Sequence, residues 1–209
     1  MKKITLALVC MIMATGVAMA QKQFTFGPKV GVDYTHYWGK GLPPHGGQLN
    51  YQAGLFIEYR FTDKFSIAPE VVFAAQGGKY DEVDFDELNN NYFDIKITDH
   101  VNYINIPVMF KYYVIPSLSI DFGPQLGINV YSKFTKEAKD KNLNYNKTFD
   151  QKDQTKKIDF GVGLGLTYNI TNEVFVQGRY SLGLTKVFND IYGFGEKNGN
   201  AQIAIGYRF

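Results

Sequence analysis

The sequence has one cysteine, one tryptophan and three histidines among 209 residues. The cysteine is Cys10, inside the apolar N-terminal stretch, so the rest of the chain can hold no disulfide, thiol nucleophile or thiolate metal site. Charge of one sign is missing too. The formal net charge of +2 is accounted for by Lys2 and Lys3, and the remainder is neutral. A neutral chain carries no electrostatic footprint for nucleic acid. After the first 20 residues there is no apolar run long enough for a spanning helix. Good helix formers are sparse, whereas 15 Tyr, 17 Phe and 21 Gly favour β structure with frequent turns.

What is present starts with a leader. Lys2 and Lys3 precede the apolar run Ile4 to Met13, and Ala18-Met19-Ala20 offers a small-x-small cleavage site. Residues 1–20 are therefore expected to be a signal peptide for export, leaving 21–209 as one domain. Cys10 follows Val9, where lipidation would need a small residue, and that argues against a lipoprotein.

From residue 24 onward, apolar and polar residues alternate in eight stretches: 24–38, 51–61, 65–80, 101–114, 118–131, 157–170, 174–187 and 201–209. Period-two alternation is the signature of strands with two unlike faces. In the last stretch Ala201, Ile203, Ile205, Tyr207 and Phe209 share one face, and Gln202, Ala204, Gly206 and Arg208 the other. Three connections are tight: Thr62-Asp63-Lys64, Ile115-Pro116-Ser117 and Thr171-Asn172-Glu173. The other four, 39–49, 81–98, 132–156 and 189–198, are expected to be long solvated loops. Short turns alternating with long loops is the pattern of outer-membrane barrels. The expected fold is all-β, an eight-stranded antiparallel up-and-down transmembrane β-barrel, in the outer membrane of a Gram-negative cell.

The charges indicate which face points inward. Lys29, Asp33, Glu58, Arg60, Glu70, Lys111, Asp121, Asp159, Arg179 and Arg208 fall on the polar face, five of each sign. The apolar face has essentially none. An Arg or Lys facing lipid at mid-depth costs about 2–4 kcal/mol, whereas paired ions in a filled lumen can offset their burial. These ten residues are expected to form a structural lumen network with no open pore. Gly161, Gly163 and Gly165 on the same face would leave room for larger side chains opposite. Tyr34, Tyr37 and Trp38 at one end, and Tyr59, Phe61, Phe65, Tyr112, Tyr168 and Phe209 at the other, are expected in two aromatic girdles. Tyr207 and Phe209 resemble the C-terminal signal read by the barrel-assembly machinery, an expected partner together with outer-membrane lipid and lipopolysaccharide.

Five segments in order resemble the PorT-like outer-membrane barrel family of Bacteroidetes. They are Tyr103 to Tyr112 (Y-I-N-I-P-V-M-F-K-Y), Gly123-Pro124-Gln125-Leu126-Gly127, Asp159-Phe160-Gly161 with Gly163 and Gly165, Arg179 to Leu184, and Tyr207-Arg208-Phe209. The resemblance covers nearly all of 21–209. It implies an eight-stranded outer-membrane barrel, and through the family's namesake a link to secretion.

Candidate chemistry is thin. His36, His45 and His100 lie near one rim, with Asp33 and Asp99 close in sequence, but nothing in their spacing supplies a base, an orienter and a nucleophile together. Three His on separate elements also have no chelate spacing. Asp81, Glu82, Asp84, Asp86 and Glu87 lack the order of a calcium loop. The expectation is no catalytic residue, no cofactor and no metal. The expected role is that of a non-enzymatic, monomeric barrel with a structural or surface-interaction function, and with envelope or secretion proteins as partners. The alternatives are a rim enzyme acting on lipid or peptide, and a narrow channel.

Overall fold

A computed structural model describes residues 23–39, 45–86, 91–138, 145–189 and 195–209. The expected signal peptide, 1–20, lies outside the described residues, as do Glu87 and the side chains of His45, Asp84 and Asp86. The described residues form eleven strands: β1 (Phe24–Trp38), β2 (His45–Gly46), β3 (Gln48–Arg60), β4 (Phe65–Ala74), β5 (Lys79–Asp86), β6 (Asn91–Ile115), β7 (Leu118–Ala138), β8 (Asn146–Asp150), β9 (Ile158–Asn169), β10 (Val174–Gly183) and β11 (Lys197–Tyr207).

Eight of these close on one another. The ring runs β1–β3–β4–β6–β7–β9–β10–β11 and returns to β1, each pairing antiparallel. Closure leaves the ring no open edge, which lipid demands because it offers no hydrogen bonds of its own. The alternation settles which face is which. Leu164 is 62% exposed and Ile203 67%, whereas Glu70 is 4% and Arg179 5% exposed. The apolar side chains point outward as a band, and the polar ones fill the centre. The barrel is inside-out relative to a water-soluble one.

The seam between first and last strand is tight. Gly27 on β1 lies so close to β11 that a Cβ there would sit 1.7 Å from the carbonyl oxygen of Tyr207. Along β9, the space beside Gly163 is taken by the side chains of Arg179 and Met109.

Aromatic side chains ring both ends of the band. At the end carrying the tight turns, Phe24 packs on Tyr59, Tyr59 on Phe61, Phe65 on Tyr112 and Phe26 on Phe209. At the opposite end His36 sits between Tyr34 and Tyr180, with both ring centroids at 6.2 Å. Tyr37, expected in this girdle, is instead buried on the inner face. Its odd position on β1 places it with Asp33 and Thr35, not with Tyr34.

The expected loops 81–98 and 132–156 are in large part strand. β6 has 25 residues and β7 has 21, where about 9–11 suffice to cross a bilayer. Their excess length stands beyond the apolar band and pairs with β5 and β8, while β2 flanks β5. The result is a five-stranded extension, β2–β5–β6–β7–β8. Ile95 and Ile97 are buried in it, and Phe134 stacks on Phe149. The stretch 65–80, expected as one strand, breaks at residues 75–78. There Gly77 adopts φ +145°, and a Cβ would lie 2.0 Å from the carbonyl oxygen of Asp99, a conformation and an approach open to glycine.

Candidate functional site

The lumen is organised by two carboxylates at different depths. Glu70 projects inward from β4, where Pro69 and Val71 point to lipid. Arg179 of β10 reaches it from across the barrel with a two-pronged contact, Nη2 to Oε1 at 2.7 Å and Nη1 to Oε2 at 3.0 Å. Lys29 of β1 donates to Oε2 at 2.5 Å and to Gln177 Oε1 at 3.1 Å. All three charged side chains are nearly inaccessible. This triad crosses the centre of the barrel and carries one excess positive charge.

Glu58 on β3 is the second hub, nearer the turn end. Its Oε1 accepts from Ser66 Oγ at 2.8 Å and from the Tyr113 hydroxyl, and its Oε2 accepts from Lys111 Nζ at 3.1 Å. Two guanidiniums stand further off, with Arg208 Nη2 at 3.8 Å and Arg60 Nη2 at 4.0 Å. Arg60 lies at the mouth, with its side chain 35% exposed.

The remaining inward carboxylates take neutral partners. Asp121 accepts from Ser119 Oγ at 2.6 Å, Thr167 Oγ1 at 2.5 Å and Gln177 Nε2 at 3.2 Å. Asp159 accepts from the Thr185 hydroxyl and from Asn198 Nδ2 at 2.9 Å. Asp33 is fully buried near Asn200 and Gln52, and neither of its oxygens closes a hydrogen bond. The structure thus faces all ten sequence-derived lumen charges inward, with Arg60 at the rim. It joins Lys29, Glu70 and Arg179 in one group and Glu58, Lys111, Arg60 and Arg208 in another. It leaves Asp33, Asp121 and Asp159 without a salt bridge among the described residues. Equal numbers of each sign did not mean one-to-one pairing.

The opposite mouth is closed by apolar residues that the alternation did not single out. Tyr37, Val101, Tyr103 and Val187 form a buried cluster, and Phe188 packs edge-on against Tyr37 with ring centroids 5.8 Å apart. Backbone bonds from Lys156 to Val187, from Val187 to Glu196 and from Asn189 to Gln154 hold this plug in place. The available signal was the apolar Val187-Phe188 pair, which three residues separate from the end of β10. Beneath the extension, Asp99 takes a hydrogen bond from Gln151 at 3.3 Å. It lies beyond the apolar band, where the outward neighbours are Thr98 and His100. Burial pushes its carboxyl up to about 7, with nearby Glu196 acting in the same direction.

His36 and His100 are not brought together. His36 faces outward on β1 and meets the Tyr180 hydroxyl at 3.3 Å, while His100 faces outward on β6, with β3 and β4 between the two round the ring. Asp33 and Asp99 lie on the inner faces of those same strands. No group of three or more His, Cys, Asp or Glu among the described residues is placed to hold a metal ion. Tyr207 and Phe209 face outward at the turn end and touch each other, with centroids 5.1 Å apart.

Residues 19–189 match the family described as "Outer membrane protein beta-barrel domain". No curated protein matches the chain. Among solved structures it is similar to Ail, the attachment invasion locus protein of Yersinia pestis, at 12% identity over 90% of this chain and 99% of that one, with a TM-score of 0.50. It is also similar to Neisserial surface protein A, at 13% identity over 88% and 97% with a TM-score of 0.48. A third is OprG of Pseudomonas aeruginosa, at 16% identity over 90% and 95% with a TM-score of 0.38.

Proposed function

This chain belongs to the outer membrane protein beta-barrel domain family, and from that premise we propose that it is a non-enzymatic surface barrel whose working part is the five-stranded extension. The observation that carries this reading is the excess length of β6 and β7 beyond the apolar band. The short turns, by the rule for such barrels, face the periplasm and the long hairpins the exterior. The barrel then holds the extension at the cell surface, much as a post holds a sign. Lipid and lipopolysaccharide surround the band, the assembly machinery reads Tyr207 and Phe209, and the functional partner is an envelope or surface protein. The barrel acts as a monomer. A secretion-linked role of the PorT type is the finer form of this proposal.

Photo-crosslinkers at Val83 and Thr148, both exposed on the extension, test it in intact cells. A discrete crosslinked partner, lost when the crosslinker is moved to the lipid band at Leu164, supports the reading. Labelling of lipid and lipopolysaccharide alone would sink it, and unchanged protein secretion after gene deletion would remove the PorT-type role. A rim enzyme is disfavoured by the separation of His36 and His100. Planar-bilayer recordings test a channel, and the plug and the central triad predict no conductance steps.

A further inference from the structure

At the turn end the lumen opens into a cavity of about 650 Å³, lined by Thr25, Glu58, Arg60, Asn169, Glu173 and Arg208 among others. The charges beneath it do not balance. Glu58 already holds three close donors from Ser66, Tyr113 and Lys111. Asp121, the cross-strand neighbour of Lys111, is occupied by Ser119, Thr167 and Gln177. Lys111, Arg60 and Arg208 therefore face two carboxylates whose acceptor sites are largely taken. Arg208 is 8% exposed, and its Nη2 has no hydrogen-bond partner. A buried guanidinium N–H without an acceptor is costly and rare.

The two guanidiniums are also held in place. Arg60 lies over the Tyr113 ring at 4.1 Å and Arg208 over the Phe175 ring at 4.5 Å. Stacking fixes the planes and leaves the N–H edges to bind, which is how arginines take up phosphate. The same cavity wall offers an unpartnered acceptor, Asn169 Oδ1, whose amide nitrogen already donates to the carbonyl of Pro116. A ligand that accepts at one side and donates at another satisfies both, and a hydrogen phosphate group does this where sulfate does not. The other acid on the wall, Glu173, is exposed to water and takes the hydroxyl of Thr171 at 2.9 Å.

We propose that the periplasmic mouth of this barrel is a phosphate-binding site in which Arg208 and Arg60 donate to the oxygens of a phosphate or phosphate monoester and Asn169 Oδ1 accepts a hydrogen bond from its P–OH group. The group can come from a soluble phosphate or from a monoester lipid headgroup of the inner leaflet.

The full-length mature barrel, folded in a maltoside detergent, is titrated with inorganic phosphate in a calorimeter at neutral pH, with sulfate as the control. Saturable phosphate binding, with sulfate at least about tenfold weaker, is the expected result. Arg60→Gln and Arg208→Gln should each weaken phosphate by about tenfold or more, and Asn169→Leu should erase the preference over sulfate. Arg60 is half-exposed, so its variant keeps the test open if Arg208→Gln fails to fold. A parallel titration uses phosphatidylcholine nanodiscs with and without phosphatidic acid, scored by phosphorus NMR. Binding of phosphatidic acid alone assigns the same site to the lipid headgroup. Binding of neither probe, or binding that survives both arginine substitutions in folded protein, overturns the proposal.

Discussion

The ring and the extension are made of the same hydrogen-bonded strands, yet they obey different rules. In the ring each outward side chain meets lipid, so Val30, Leu164, Ile203 and Ile205 alternate with buried polar partners. In the extension the outward positions meet water, and Lys96, Asp94 and Thr148 serve there as well as any apolar residue. Lipid therefore writes a pattern into the sequence and water does not. The ring is also stapled through its centre by buried ions, whereas the extension rests on backbone pairing and a few apolar contacts such as Phe134 on Phe149.

Substitutions can sharpen that contrast, and the largest effect is expected at the seam. Gly27→Val drives a branched side chain into the backbone of β11, and no compact, heat-modifiable form should appear on unheated gels. Next comes the central triad. Glu70→Ala strands Lys29 and Arg179 in the core and should cost roughly 3–5 kcal/mol, read from urea unfolding in micelles through the fluorescence of Trp38. A cost under 1 kcal/mol would mean that the triad is decorative. Leu164→Arg puts a charge into lipid and should cost about 2–4 kcal/mol, whereas Val83→Arg, just as exposed but on β5, should stay within about 0.5 kcal/mol. Equal effects at these two positions would erase the distinction between the regions.

A smaller effect joins the regions. Asp99 lies between the extension and the plug, and its carboxyl is raised to about 7 from an ordinary value near 3.9. The folded state binds the proton more tightly than the unfolded one. The stabilisation is therefore complete below about pH 4 and is lost as pH rises through 7. Amide exchange at Val101 and Val187, corrected for intrinsic rates, should quicken between pH 5 and 8, and Asp99→Asn should flatten that profile.

How legible all this was follows the same division. The eight barrel segments were readable because Ile203 and Ile205 cannot swap faces with Gln202 and Arg208 when one face meets hydrocarbon. The hairpin strands β5 and β8 were not, because Asp81 to Asp86 and Asn146 to Asp150 carry the polar composition of a loop. The ten inward charges could be assigned to a side of the sheet. Their depth and partners could not, since Glu70 finds Arg179 at a separation of 109 residues and strand periodicity carries no such information. Tyr37 was misplaced because an aromatic near a strand end looks the same whether it anchors a girdle or caps a lumen.

The joint between β1 and β11 has a consequence for biogenesis. The first strand of the ring has its permanent partner in the eighth, so the cylinder cannot be completed until all eight ring strands are present. Until Tyr207 is delivered opposite Val174, and the rest of β11 beside β1, every intermediate is a sheet with two open sides and a greasy face. Its edge strands keep unpaired backbone groups until the ring closes, and that one step pairs them all at once.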